Sequence, residues 1–150
     1  MPIIPDQDRN DLKRDFRKNL KQDVTIKLFS QGSSLLTIPG RECRYCPQTQ
    51  ELMEEMTSLS PKLHLEVYNF YSDVEARDKY GIERIPAIVL GDDDGSRLKF
   101  YGIPTGPELY ALVDGIKTIS RGVSPLTMDS RKKLRKVTKP VHIQVFVTPT

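Results

Sequence analysis

Residues 41–56, RECRYCPQTQELMEEM, set two cysteines, Cys43 and Cys46, three positions apart ahead of an apolar-periodic run. Leu52, Met53, Met56 and Leu59 recur on one face of a helix predicted from about Cys43 to Leu59, with Pro61 just past its end. The cysteine pair therefore falls on a loop-to-helix junction. Two thiols at this spacing are suited to a reversible disulfide, to part of a metal site, or to plain packing.

The chain outward from this stretch alternates strands and helices. Upstream, residues 6–22 carry Leu12, Phe16 and Leu20 at fourfold spacing among charges and predict an amphipathic helix. VTIKLFS, 24–30, then alternates Val24, Ile26 and Leu28 against Thr25, Lys27 and Phe29, as a strand does. The stretch QGSSLLTIPGRE between strand and cysteines is turn-rich, with a small apolar group of Leu35, Leu36 and Ile38. Downstream, LHLEVYNF reads as a second strand and DVEARDKYG as a short helix ended by Gly81. After Ile85-Pro86, AIVL is a short buried strand, DDDG a turn and RLKFY the antiparallel partner across it. Thr105 and Glu108 have capping-box spacing, Pro107 lies in the first turn, and Leu109, Leu112, Val113 and Ile116 continue an apolar face. The economical arrangement is an α/β fold: a central mixed β-sheet flanked by α-helices, with an extra N-terminal helix.

Length and composition set the outer bounds. The chain of 150 residues suits one domain with some surplus, and 37% hydrophobic against 29% charged residues argues against wholesale disorder. The net charge of +3 is mild and interspersed, which does not point to nucleic acid. The N-terminal MPIIPDQDRNDLKRDF reaches charges before a secretory apolar region forms, and no run is long enough to span a membrane. A cytoplasmic location is the default, and there a close cysteine pair forms transient rather than permanent disulfides.

Chemistry at the cysteines follows from their place on the helix. A thiol at a helix start faces unsatisfied N–H groups and the positive end of the dipole, and Arg44 adds positive charge. Lowering a thiol pKa from about 8.5 towards 7 requires only about 2 kcal/mol of preference for the anion. Cys43 is then the candidate nucleophile, and Cys46, one turn deeper, the thiol that resolves a mixed disulfide. Structural zinc needs two further Cys or His ligands, and the only histidines, His64 and His142, lie in different predicted strands without paired spacing, so no metal is expected. Two buried inert thiols would be poorly served by the polar Arg-Glu-Cys-Arg setting.

CRYCP at a helix start, YGIERIPAIVL some forty residues on and FYGIPTGPEL after it resemble the thioredoxin and glutaredoxin superfamily. The resemblance implies a thioredoxin-like fold and thiol–disulfide oxidoreduction on protein substrates. Pro86 matches the cis-proline that faces the disulfide, leaving the Ile85 backbone to pair with a substrate peptide, and Gly102 matches the glycine lining that groove. Tyr45 matches the tyrosine of glutaredoxin-like motifs and is a candidate substrate contact. No bound cofactor is implied, because the electrons reside in the cysteine pair; a thioredoxin-reductase-like donor is the implied partner, with neither nucleic acid nor membrane. Unlike thioredoxin, the chain has Glu42 rather than tryptophan before the first cysteine, and no carboxylate within 24–31.

The end of the chain narrows the resemblance. VHIQVFV at 141–147 echoes VTIKLFS at 24–30, each after a lysine-rich helical segment. This is similar to protein disulfide oxidoreductases built from two tandem thioredoxin-like units. The expectation is a redox unit over 1–120, then a linker helix and the first strand of a truncated second unit over 121–150. Two other readings stand beside it: a glutathione-dependent glutaredoxin, and a redox-inactive thioredoxin-like module that binds a protein partner. Asp92, Asp93 and Asp94 lack the alternating ligands of a calcium loop and read as a hairpin turn. Arg131, Lys132, Lys133, Arg135 and Lys136 read as a solvated helix face.

Overall fold

The computed structural model describes residues 3–32, 39–40, 42–91 and 98–147. The apolar group Leu35, Leu36 and Ile38 and the turn at Asp92, Asp93 and Asp94 lie outside the described residues. Among the described residues the elements run α1 (Asp6–Asn19), β1 (Val24–Ser30), α2 (Cys46–Ser58), β2 (Leu63–Asn69), α3 (Val74–Lys79), β3 (Ala87–Leu90), β4 (Leu98–Tyr101), α4 (Pro107–Arg121) and α5 (Met128–Leu134). The strands form one mixed sheet in the order β2-β1-β3-β4. β1 is parallel to β2, from Val24 opposite Leu63 to Ser30 opposite Asn69, and antiparallel to β3, where Phe29 faces Ala87. β4 closes the sheet antiparallel to β3, with Tyr101 opposite Ala87. This is the thioredoxin-like architecture, with α1 as the added N-terminal helix.

Central position buries β1 on both faces, so its alternating pattern sorts residues between two cores. On one face Ile26, Leu28, Ile88 and Leu90 pack against Phe16 and Leu20, against Leu52, Met53 and Met56 of α2, and against Leu112, Val113 and Ile116 of α4. On the other, Phe29 joins Tyr80, Ile82, Ala87 and Val89, with Tyr68 stacked on Phe29 at 5.0 Å between ring centroids. Lys27 lies on this second face, 5% exposed, its ammonium 5.4 Å from the Tyr80 ring centroid. The aliphatic stem is thereby buried while the charged end keeps an aromatic face beside it.

Three expectations change. The first helix stops at Asn19 rather than reaching residue 22, because Ser120 Oγ accepts the N–H groups of Lys21 (2.9 Å) and Gln22 (3.1 Å) and turns that backbone out of the helix. α2 begins at Cys46, not Cys43. Pro47 explains it: a helix starting at Cys43 would need a hydrogen bond from the nitrogen of residue 47, which proline lacks, whereas in the first turn no such donor is needed. The Thr105–Glu108 capping box does not form, since α4 is capped by Gly106 at φ 58°, which leaves Thr105 outside the capping position. VHIQVFV, 141–147, pairs with nothing in the described sheet and is exposed, with Phe146 at 89%. A strand exists only through a neighbour's hydrogen bonds, and β-propensity alone does not supply one.

Candidate active site

β1 and β2 run parallel and end at Ser30 and Asn69, and α2 starts at that same end of the sheet, as a crossover helix returning antiparallel to β1 must. β3 begins there and β4 finishes there. The sequence-predicted residues therefore gather where the parallel strands terminate, the usual place for a site in an open α/β sheet.

Cys43 and Cys46 are joined in a disulfide with their Cα atoms 5.4 Å apart. Cys46 is 2% exposed at the first position of α2, while Cys43 is half-buried in the turn before it. That turn is closed by Cys46 N–H donating to the Cys43 carbonyl at 3.3 Å. One turn further on, Thr49, fully buried, donates from both its N–H (2.9 Å) and its hydroxyl (2.7 Å) to the Tyr45 carbonyl. Tyr45 itself is 46% exposed between the cysteines, and the Arg44 guanidinium lies 5.6 Å from its ring centroid. Glu42 is exposed.

Just ahead of β3, the Ile85–Pro86 peptide is cis, Pro86 is buried and Ile85 is half-buried against the second core. Gly102 donates its N–H to the Pro86 carbonyl at 2.9 Å and adopts φ 91°, with nothing within 4 Å of where a side chain would begin. Backbone conformation alone favours glycine here, and the space over the strand end stands open. The Arg84 guanidinium stacks 4.6 Å from the Tyr101 ring centroid beside this segment.

Two contributors were not foreseen. Gln31, the residue after β1, accepts the Cys43 N–H on its side-chain Oε1 at 2.9 Å. The other is Thr49, through its hold on Tyr45. Gln31 belongs to no spacing pattern and matters through a contact made only when the strand end and the loop come together, whereas Thr49 makes a local bond four residues back along its own helix. Elsewhere, His64 is exposed and its Nε2 stands 3.0 Å from Asp23 Oδ2. Among the described residues, no three His, Cys, Asp or Glu side chains converge as a metal site, and no helix is long and apolar enough to cross a membrane.

A four-stranded mixed sheet with a C-x-x-C disulfide at the start of α2 and a cis-proline leading into β3 is the arrangement of the thioredoxin superfamily. The thioredoxin domain matches residues 35–114, and the chain belongs to that family. Among solved structures, it is similar to a protein disulfide oxidoreductase from Aeropyrum pernix, with 24% identity, a TM-score of 0.73 and coverage of 89% of this chain and 55% of that one. It is also similar to an alkylhydroperoxide reductase from Enterococcus faecalis (28% identity, TM-score 0.71, 87% of this chain and 59% of that one). The separately solved N-terminal domain of that reductase aligns at 28% identity and TM-score 0.73, over 91% of this chain and 62% of that one. The chain thus spans 55% to 62% of the length of these structures. No curated protein sequence matches it.

Proposed function

We propose that the protein catalyses thiol–disulfide exchange on protein substrates. The observation that carries the reading is the unequal exposure of the pair: Cys43 is half-buried and Cys46 is 2% exposed. In the reduced state, the Cys43 thiolate attacks one sulfur of a substrate disulfide. A Cys43–substrate bond forms, the substrate bond breaks, and the leaving sulfur takes the electron pair and a proton. The Cys46 thiolate then attacks Cys43 Sγ, releasing the second substrate thiol and regenerating the internal disulfide. Two electrons pass from the cysteine pair to the substrate, and a thioredoxin-reductase-like donor or partner dithiol returns them.

The N-terminus of α2 and the Arg44 guanidinium favour the Cys43 thiolate. The backbone of Ile85, ahead of β3, offers an extended edge for a substrate peptide; Pro86 and Gly102 shape that edge, and Tyr45 covers the disulfide from the other side. Residues 1–120 form the redox unit. Residues 121–150 comprise a linker helix and a segment that would pair as the first strand of a second unit, a reading supported by the alternation and exposure of Val141, Ile143, Val145 and Val147. A reducing, cytoplasmic setting suits a disulfide of this kind.

The test is insulin reduction with dithiothreitol, comparing wild type, Cys43→Ser and Cys46→Ser. Catalysis above the reductant alone is expected from wild type, with loss in Cys43→Ser, and reduced Cys46→Ser freed of dithiothreitol should trap a mixed disulfide with insulin. No wild-type rate above dithiothreitol would sink the proposal and leave a binding module. Turnover confined to glutathione mixed disulfides, surviving Cys46→Ser, would assign a glutaredoxin instead.

A further inference from the structure

Gln31 sits at the junction between the rigid part of the fold and its redox pair. The backbone it extends is anchored: Ser30 is 3% exposed, is paired with Asn69 in the sheet, and its carbonyl accepts the Phe70 N–H at 2.9 Å. The next residue, Gly32, is pressed so closely beneath Asn69 that a Cβ there would stand 2.6 Å from Asn69 Nδ2. From this base the Gln31 Oε1 reaches across twelve positions of sequence to the Cys43 N–H, 2.9 Å away. Cys46, the other half of the disulfide, is fixed independently by its burial at the start of α2.

We propose that Gln31 is a positioning residue that sets the oxidation equilibrium of the Cys43–Cys46 pair. The inference rests on the reading of that pair as a redox couple. A disulfide forms more readily the better its two sulfurs are held together before reaction. Cys46 is held by its helix; Cys43 belongs to a turn, and the Gln31 amide ties that turn to the sheet. Removing the acceptor leaves the Cys43 backbone free to move away once the disulfide opens, which favours the reduced dithiol. A neutral hydrogen bond contributes about 0.5 to 1.5 kcal/mol net, so a change of roughly 3- to 10-fold in the equilibrium constant is expected.

The experiment equilibrates the full chain with mixtures of reduced and oxidised dithiothreitol. Two electrons and two protons from the dithiol open the Cys43–Cys46 bond and leave the cyclic disulfide; the free thiols are counted by alkylation and mass shift. Gln31→Leu should be reduced about 3- to 10-fold more readily than wild type. Gln31→Glu, which keeps an acceptor oxygen at the same reach, should hold the wild-type constant or favour the disulfide further. Gln31→Met, close in length but without the amide, follows Gln31→Leu and replaces it should the leucine variant fail to fold by circular dichroism. Agreement of the acceptor-free variants with wild type within twofold overturns the proposal, as does a Gln31→Glu variant that falls alongside them. A wild-type disulfide that does not titrate reversibly in this buffer overturns instead the redox reading beneath it.

Discussion

Gly32 shows how one residue without a side chain governs the approach to the cysteines. It adopts φ 76°, which costs an ordinary L-residue roughly 1–2 kcal/mol, and its Cα faces the Asn69 amide at a distance that admits no methyl group. Asn69 is itself held, since its Oδ1 accepts the Tyr71 N–H at 2.9 Å. Gly32→Ala should therefore destabilise the fold by about 2 kcal/mol in urea titrations, combining backbone strain with displacement of Asn69. Adding Asn69→Ala should return only the steric part. The double variant distinguishes the two causes, because backbone conformation is untouched by removal of the neighbour. The cysteines carry a second expectation at this scale, read by insulin reduction: chemistry lost with Cys43, trapped with Cys46.

Between elements, α4 is fastened to the N-terminal helix by two contacts of different character. Ser120, fully buried, accepts from the N–H groups of Lys21 and Gln22 and donates its hydroxyl proton to the Gln22 carbonyl at 2.6 Å. These are the backbone groups exposed where α1 gives way to β1. Ser120→Ala strands the Lys21 N–H and the Gln22 carbonyl, and should cost about 1–3 kcal/mol, read as a lowered urea midpoint with unchanged slope. Ser120→Thr retains the hydroxyl but adds a methyl to a filled site, so it should recover part of the loss only.

The other contact is ionic. Lys117 lies 3.1 Å from an Asp15 carboxylate oxygen and 3.2 Å from one on Asp114. Partial burial alone pushes the ammonium pKa down, but hydrogen bonding and attraction from the two carboxylates outweigh it, so the net value stands above the ordinary 10.5. A raised pKa in the folded state means that folding favours the proton. The contribution is complete below the unfolded lysine value near 10.5 and is lost as pH rises through the higher folded value. Wild-type stability should accordingly fall across the alkaline range above that point, and Lys117→Met should flatten this decline. Equal slopes for both proteins between pH 9 and roughly pH 12 would remove the pair from the account.

At the scale of the whole molecule, residues 123–147 contribute no buried side chain. α4 ends at Gly122, whose φ of 69° gives the left-handed turn that closes the helix, and the two cores are complete without anything beyond it. A chain ending after Gly122 should keep a thermal midpoint within about 4 °C of the full chain, a shift that corresponds to ~1 kcal/mol at this size. It should also be less prone to associate, because Val141, Ile143, Val145, Phe146 and Val147, all at least 67% exposed, leave with the segment. A midpoint lowered by tens of degrees would show that 123–150 belong to the folding unit and would move the proposed boundary at 120.

Much of this architecture was legible because local pattern and global fold agree. The alternation in 24–30 and 63–69 marks β1 and β2; the apolar spacing after Cys46 and after Pro107 marks the helices that cover the sheet. Pro47 even contained the correct start of α2, for proline has no N–H to give a preceding turn. VHIQVFV has the same local pattern as β1, but no edge in the described sheet takes it up, and pattern alone does not name a strand's partner.

The sequence by itself determined which segments are apolar on which face, where two thiols lie within reach of each other, and which glycines and prolines interrupt the helices. Those properties are local, set by side-chain period and backbone freedom within a few residues. Only the tertiary structure decided that Gln31 holds the Cys43 N–H and that Ser120 satisfies the turn at Lys21 and Gln22. Each of these depends on a polar group meeting a partner brought up by another element. A hydrogen bond across 12 or 99 positions has no period to read; it exists once hydrophobic packing has fixed both ends in place.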